Sequence, residues 1–371
     1  MVEVDTQYWQ ITDPGDPRIK EAARIIRKGG LVAFPTETVY GLGANGLDEY
    51  AVKGIYRAKK RPADNPLILH VSSIDEARKL AAFPDGSSAW SEKAERVAES
   101  FWPGPLSMVL PAAAFLPPTV TAGLRTVAIR YPANPIASAL IQEAGVPIAA
   151  PSANTSGKPS PTQGSHVLAD LNGRIDLILD GGSCQVGIES TILDLSVDPP
   201  VILRPGDITR DALRLILGEV HMDETQEIGL ESANPLASAP KAPGMKYTHY
   251  APDAPMLILS GTPESVADYV LKQAIADKER KTALLLSQDT WEVLADNRSL
   301  FERDPYHYHC LDMGVHDHPW EMGSLLYQAL RSCDLEKVDM VLMEACPTYG
   351  QGQAVFNRIW KASGGRILYL S

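Results

Sequence analysis

Between Leu31 and Thr209 an apolar, strand-like run repeatedly borders a loop of hydroxyls, glycines or a single arginine. The segments are PTETVYGLGANG (Pro35 to Gly46), VAIRYP around Arg130, APSANTSGKPSPT (Ala150 to Thr162), GIESTILDL with Ser190 and Thr191, and VILRPGDIT around Arg204. Runs this short and apolar read as strands of a sheet covered on its faces. Helical stretches alternate with them without a strict βαβ period. An α/β or α+β domain with a mixed sheet follows, its donors gathered at strand ends, where such sheets form ligand crevices.

Each loop has its own chemistry. In PTETVYGLG, Thr36, Thr38 and Tyr40 alternate with Glu37 and Val39, so alternate hydroxyls would line one wall, and the glycines that follow permit close backbone approach. Arg130 and Arg204 each close an apolar strand just ahead of a proline, Pro132 after Tyr131 and Pro205 directly, a placement that suits capture of carboxylate or phosphate oxygens. Ser152, Asn154, Thr155, Ser156, Ser160 and Thr162 surround Gly157, and donor-rich loops of this kind bind anions. Alone, each of these is equally a turn or a surface loop.

Five cations stand in KGIYRAKKRPADNPLILHV (Lys53 to Val71), ahead of a proline-broken turn and an apolar strand carrying His70. Asp48 caps a helix with apolar Ala51, Val52, Ile55 and Ala58, and Pro62 disfavours its continuation beyond Arg61. Extrapolated along that helix, Lys53, Arg57, Lys60 and Arg61 share a face. Their mutual repulsion favours an anion between them, although a solvated basic face is the commoner use of such a pattern.

At 371 residues the chain exceeds what one core usually organises. An opening helix is expected from Asp16 and Pro17 to Gly29-Gly30, burying Ile19, Ala22, Ala23 and Ile26. From Glu231 to Pro255 five prolines mark a linker, within which PGMKYTHYAP concentrates two tyrosines, a lysine and a histidine. Beyond it, MLILSG, KTALLLS, YHYHCLDMG and KVDMVLMEACP alternate with helical stretches as a smaller Rossmann-like α/β domain without GxGxxG. The expected division is 1–222, linker 223–255 and 256–371. Four of the eight histidines lie between His307 and His318, without carboxylate or cysteine spacing for a metal. The four cysteines form no CxxC pair, which suits a reducing compartment. No apolar run reaches membrane-spanning length and the N-terminus lacks signal-peptide character, so a cytoplasmic location is expected and no membrane partner. The net charge of −12 disfavours a broad nucleic-acid surface, so any cationic site must be local.

In this order, PTETVYGLG, KKRPADNPLILHV, WPGPLSMVL, AIRYP, PSANTSGKPSPT, ESTILDL and LRPGDIT resemble the YrdC-like domain of the threonylcarbamoyl-AMP synthase family. PGMKYTHYAP and the trailing α/β domain resemble the long, two-domain form of that family. The resemblance implies a YrdC-like twisted mixed sheet and an enzyme that joins L-threonine, bicarbonate or carbon dioxide, and ATP into threonylcarbamoyl-adenylate, releasing pyrophosphate. The product would pass to the machinery that forms threonylcarbamoyladenosine in transfer RNA, with tRNA itself at most a weak partner. By similarity, L-threonine would meet Thr38, His70, Arg130, Ala150 and Ser190. ATP would meet Lys59, Arg61, Asn65, Thr126, Ser152, Ser160 and Arg204, with Tyr250 closing over it, and Mg2+ would arrive with the nucleotide. Lys59 and Arg61 would carry the catalytic charge, whereas helical spacing selects Lys53, Arg57 and Lys60. Two other readings compete: an RNA-binding module, which the acidic balance opposes, and carbamoyl transfer to another acceptor, usually accompanied by cysteine clusters that this chain lacks.

Overall fold

A computed structural model describes residues 4–226, 250–276 and 279–371. The chain divides into two compact units, Met1–Ser156 with Ser160–Tyr247, and Gly157–Pro159 with Thr248–Ser371. Nothing in the sequence pattern foretells that Gly157–Pro159 groups with the second unit. Most of the tyrosine-bearing linker motif, including His249, lies outside the described residues.

In the first unit the described strands are β1 (Gln7–Gln10), β2 (Val32–Phe34), β3 (Gly41–Asn45), β4 (Ile68–His70), β5 (Leu106–Pro111), β6 (Thr126–Arg130), β7 (Ile148–Ala149), β8 (Leu177–Asp180), β9 (Thr191–Asp194), β10 (Val201–Arg204) and β11 (His221–Met222). They form one mixed sheet in the order β1-β8-β2-β3-β7-β4-β6-β5-β9-β10-β11. Alternation along β2 shows why the strands read as continuous apolar runs. Val32 and Phe34 enter one core with Ile19, Ala22, Ala23 and Ile26 of helix Arg18–Arg27 and with Leu140 and Ile141 of helix Pro135–Ala144. Leu31 and Ala33 enter another, with Val52 and Ile55 of helix Glu49–Lys59 and Val97 of helix Glu92–Phe101. Both faces are covered, so each strand residue has an apolar neighbour. Burying one such Phe or Ile side chain contributes about 1.5–3 kcal/mol.

Two readings need correction. The GLGAN segment, expected as loop, is strand β3. Gly43 is required there because a Cβ would lie 2.7 Å from Ile148 Cγ2 and 2.8 Å from Phe34 Cε1. Asp48 does cap the next helix, accepting from Tyr50 N–H at 2.8 Å and Ala51 N–H at 3.2 Å, but the helix ends at Lys59 and Lys60 takes φ 54°. That left-handed residue breaks the extrapolated basic face: Lys53, Arg57 and Lys60 are exposed, and Lys53 pairs with Glu49 at 2.7 Å. Asp16 stands ahead of helix Arg18–Arg27 as expected, with Pro17 in helical conformation (φ −60°, ψ −20°) between them. Its carboxylate caps the helix start by accepting from the Arg18 backbone N–H at 2.8 Å and also from the Arg18 guanidinium.

The second unit holds a five-stranded sheet of β12 (Met256–Ser260), β13 (Thr282–Leu286), β14 (Tyr308–Asp312), β15 (Met340–Glu344) and β16 (Ile367–Tyr369), all parallel, in the order β14-β13-β15-β12-β16. The strand beside β12 is β15 rather than β13, so the dinucleotide-binding order 3-2-1-4-5-6 is not reproduced. Leu259, Val266, Leu284, Trp291 and Phe301 build its core. The four clustered histidines face separate partners: His307 Asp304, His309 Ser332, His316 Glu344 and His318 Glu321. Among the described residues no group of three His, Cys, Asp or Glu could hold a metal ion.

Candidate active site

Strand register assembles the site. His70 of β4 pairs with Arg130 of β6, which pairs with Ser107 of β5, which pairs with Ile192 of β9, which in turn pairs with Arg204 of β10. Residues directly paired across strands share a face, so one cross-strand row carries His70, Arg130, Ser107 and Arg204. Two residues back on the same face lie Ile68, Ala128 and Val109, and Ala150 donates its N–H to the Ile68 carbonyl at 2.9 Å. Ile68, Val109, Ala128, Ile192 and Leu203 form a small apolar cluster of their own. Two residues further back, Thr126 of β6 opposes Pro111, and Ser152 bridges Gly41. Thr126 and Arg130 therefore lie about 13 Å apart at opposite ends of one strand, on one face. The face thus presents a polar row, an apolar strip and a second polar row.

At the first row Arg130 is buried and held from three sides. Its Nη1 donates to Thr38 Oγ1 at 2.9 Å, its Nε to the Gly104 carbonyl at 3.4 Å, and its Nη2 lies 2.8 Å from Glu37 Oε1. Burial works to raise the Glu37 carboxyl, but the charge of the adjacent Arg130 leads the effects that outweigh it and the net direction is down. His70 is also buried, with Nδ1 3.2 Å from the Ile68 carbonyl and its ring edge-on to Phe34 at 6.1 Å. Desolvation, then the neighbouring Arg130 charge, lower its pKa to about 3, so the imidazole is neutral at physiological pH.

Arg204 reaches back over its neighbouring strand. Its Nε and Nη2 donate to the Ser190 carbonyl at 3.1 and 2.9 Å, and Nη2 to Ser190 Oγ at 3.2 Å. Ser190 Oγ lies 2.9 Å from Ser107 Oγ. Ser160, also buried, donates to Glu189 Oε1 at 2.6 Å.

The remaining cations act on loops. Lys59, buried on the last turn of its helix, donates through Nζ to the carbonyls of Ser152 and Asn154 and sits 3.4 Å from Asn154 Oδ1. Ser152 Oγ donates to that same Oδ1 at 2.6 Å. Arg61 donates to the carbonyls of Asn65 (3.3 Å) and Pro66 (3.1 Å), bracing the turn that leads into β4. Asn65 is buried and its Oδ1 has no hydrogen-bond partner, an acceptor left over in a polar loop. Tyr250 belongs to the second unit, where its ring stacks on Tyr327 with centroids 5.3 Å apart.

The expectation for the PTETVY hydroxyls holds for two residues of three. Thr36 and Thr38 Oγ1 atoms lie 2.9 Å apart, but Tyr40 turns away, donating to Asp180 Oδ1 (2.9 Å) and the Gly182 carbonyl (2.7 Å). Sequence reasoning also missed Glu37, Ser107, Asn154 and Glu189 as partners of the predicted residues. Glu37 and Glu189 each stand directly beside a predicted residue, Thr38 and Ser190, which is the signal that could have found them. Ser107 is visible only through strand register. Cys184, the nearby thiol, is pushed up to about 12 by burial and is no nucleophile.

Comparison with known proteins decides the family. The Sua5/YciO/YrdC model, described as telomere recombination, matches residues 24–206, and the model described as threonylcarbamoyl-AMP synthase, C-terminal domain, matches 208–364. The threonylcarbamoyl-AMP synthase of Bacillus subtilis is 44% identical over 98% of this chain and 99% of its own. This chain belongs to the threonylcarbamoyl-AMP synthase family. The family's Pyrococcus abyssi member is 43% identical over 95% of both chains. The crystal structure of P. abyssi Sua5 complexed with L-threonine superposes with a TM-score of 0.82 at 39% identity, covering 99% of each chain. Family membership accords with a site of fixed cations and donors that lacks an activated side-chain nucleophile. No described helix is long and apolar enough to cross a membrane.

Proposed function

We propose that this chain condenses L-threonine, bicarbonate or carbon dioxide, and ATP into threonylcarbamoyl-AMP on the sheet face that carries Arg130 and Arg204. The observation that carries the reading is the shared cross-strand row, which sets these two buried guanidiniums three strands, about 14 Å, apart at the backbone. Two anions can then be held side by side. The amine of threonine adds to carbon dioxide, losing a proton, and becomes a carbamate. A carbamate oxygen attacks the α-phosphorus of ATP, the bond to the β-phosphate bridging oxygen breaks, and pyrophosphate leaves. Both reactants are anionic, so charge neutralisation and alignment are the main catalytic levers.

In this reading Thr38, His70, Arg130, Ser190 and the backbone at Ala150 hold threonine. Neutral His70 adds a polar contact without a second positive charge. Lys59, Arg61, Asn65, Thr126, Ser152, Ser160 and Arg204 hold the nucleotide, which spans the face from the Thr126 row to the Arg130 row. The orphaned Asn65 Oδ1 is an acceptor suited to a base amino group or ribose hydroxyl. The donor set offers no carboxylate cage, so Mg2+ would travel on the triphosphate and supply charge neutralisation there. The product would pass to the tRNA threonylcarbamoyl transfer machinery in the cytoplasm.

Incubating the protein with ATP, bicarbonate and single amino acids while measuring pyrophosphate tests this directly. Release should depend on threonine and fall at least about a hundredfold in Arg204→Gln, as loss of a charge-assisted contact to the reacting phosphate implies. Release independent of the amino acid would defeat the assignment.

A further inference from the structure

Resting on the reading that Arg130 holds threonine, we propose that Glu37 is a positioning residue: its buried carboxylate fixes the Arg130 guanidinium in the orientation that receives the substrate's carboxylate. Both side chains are sequestered, Arg130 at 5% and Glu37 at 10% side-chain exposure, with Nη2 and Oε1 2.8 Å apart. Both carboxylate oxygens of Glu37 and Nη2 of Arg130 are fully buried and make no well-aligned hydrogen bond, so the pair interacts by charge at 2.8 Å while Nη1 and Nε carry the directed bonds of Arg130. Whatever Glu37 does for substrate, it does through Arg130.

The anchors around that guanidinium are unequal. Thr38 Oγ1 and the Gly104 carbonyl are neutral acceptors. Glu37 alone among these three brings a full opposite charge, and in a desolvated site such a partner dictates where a cation rests. The backbone around Glu37 is fixed as well. Its carbonyl accepts from Val186 N–H at 2.8 Å, and the Thr38 carbonyl accepts from Gly187 N–H at 3.1 Å. The loop holding Glu37 is thereby zipped to the 186–187 segment that leads into Glu189 and Ser190.

Steady-state kinetics on the full-length protein separate this role from a merely structural one. Glu37→Gln should raise KM for threonine at least about tenfold, the effect of one lost charge-assisted contact, with KM for ATP within about twofold. Glu37→Asp, which keeps the charge but draws it back, should fall between Glu37→Gln and the parent. In an Arg130→Gln background, Glu37→Gln should add less than about twofold, because it has no cation left to position. Thermal unfolding of each variant establishes that it is folded; if Glu37→Gln does not fold, the Asp variant is read alone and in the Arg130→Gln background. Additive effects in the double variant, equal rises in both KM values, or an unchanged KM for threonine would overturn the proposal. So would a fall in that KM, since Glu37 would then be competing with substrate. Should Arg130→Gln itself leave KM for threonine unchanged, the assignment of Arg130 to threonine fails, a separate outcome from failure of Glu37.

Discussion

Replacing Lys59 by methionine asks whether this lysine serves the nucleotide or the loop. Its ammonium is buried and donates to the carbonyls of Ser152 and Asn154, so its visible work is to clamp the turn that carries Ser152. Methionine keeps the length and the apolar stem but removes the donors. Two hydrogen bonds from a charged group contribute about 1.5–3 kcal/mol each. The recovered cost of burying an ammonium offsets several kcal/mol of this at most. A net loss of about 2–3 kcal/mol follows, which lowers Tm by roughly 4–12 °C for a cooperative unit of this size. Differential scanning calorimetry of both proteins measures the shift. Turnover assays at varied ATP should show a raised KM for ATP, because Ser152 rides on the released turn. If Tm moved by less than about 1 °C while KM for ATP still rose, Lys59 would contact the nucleotide without clamping the loop, and the reasoning would be refuted.

Two further outcomes follow from the titratable groups. The His316 pKa is raised by its hydrogen bond to Glu344, so the protonated form is favoured in the folded protein and its stabilisation is full below the unfolded value of about 6.5. That stabilisation is lost as pH rises through the raised folded value; the Tm deficit of His316→Gln should therefore be larger at about pH 5.5 than at about pH 8.5, and a deficit that grows with pH would contradict the ion pair. Burial pushes all four thiols, Cys184, Cys310, Cys333 and Cys346, up to about 12. The native protein should react sluggishly with an aromatic disulfide reagent at about pH 8 and release the full complement of thiols only in denaturant, and one rapidly reacting thiol would show that an exposed, activated cysteine had been overlooked.

The sequence was most legible where periodicity and punctuation agree. Apolar runs marked β4, β6, β9 and β10, because strands covered on both faces must be apolar throughout. It was least legible where tertiary contact overrides propensity. GLGAN has the composition of a loop, yet Phe34 and Ile148 leave no space for a side chain at Gly43, so glycine is what allows β3 to pass between them. QYWQ carries no alternating apolar signal because β1 sits at the sheet edge with its ends exposed. The basic helix misled for a local reason. The 3.6-residue repeat was continued through Lys60, whose left-handed backbone turns the chain, so Lys59 is buried while Lys53, Arg57 and Lys60 remain in water. For the site, residue types were readable and pairings were not. Arginine before proline announced Arg130 and Arg204, but only register across β4, β6, β5, β9 and β10 shows that one row holds both.

In the proposed reading, that row would let a mixed sheet hold two repelling substrates without a glycine-rich phosphate loop. A P-loop presents backbone N–H groups at a helix start, and its field is fixed by the turn. Here the field comes from side chains whose heads are tied down: Arg130 by Glu37 and Thr38, Arg204 by Ser190, and Lys59 by the Ser152–Asn154 turn. Each cation has its rotamer fixed before any ligand arrives, so little side-chain ordering remains to oppose binding. The arrangement also explains why the partners matter as much as the cations. Leaving Arg130 in place while removing its anion keeps the charge in the row but loosens its direction. An attack that must align a carbamate oxygen with one phosphorus atom depends on direction more than on total charge.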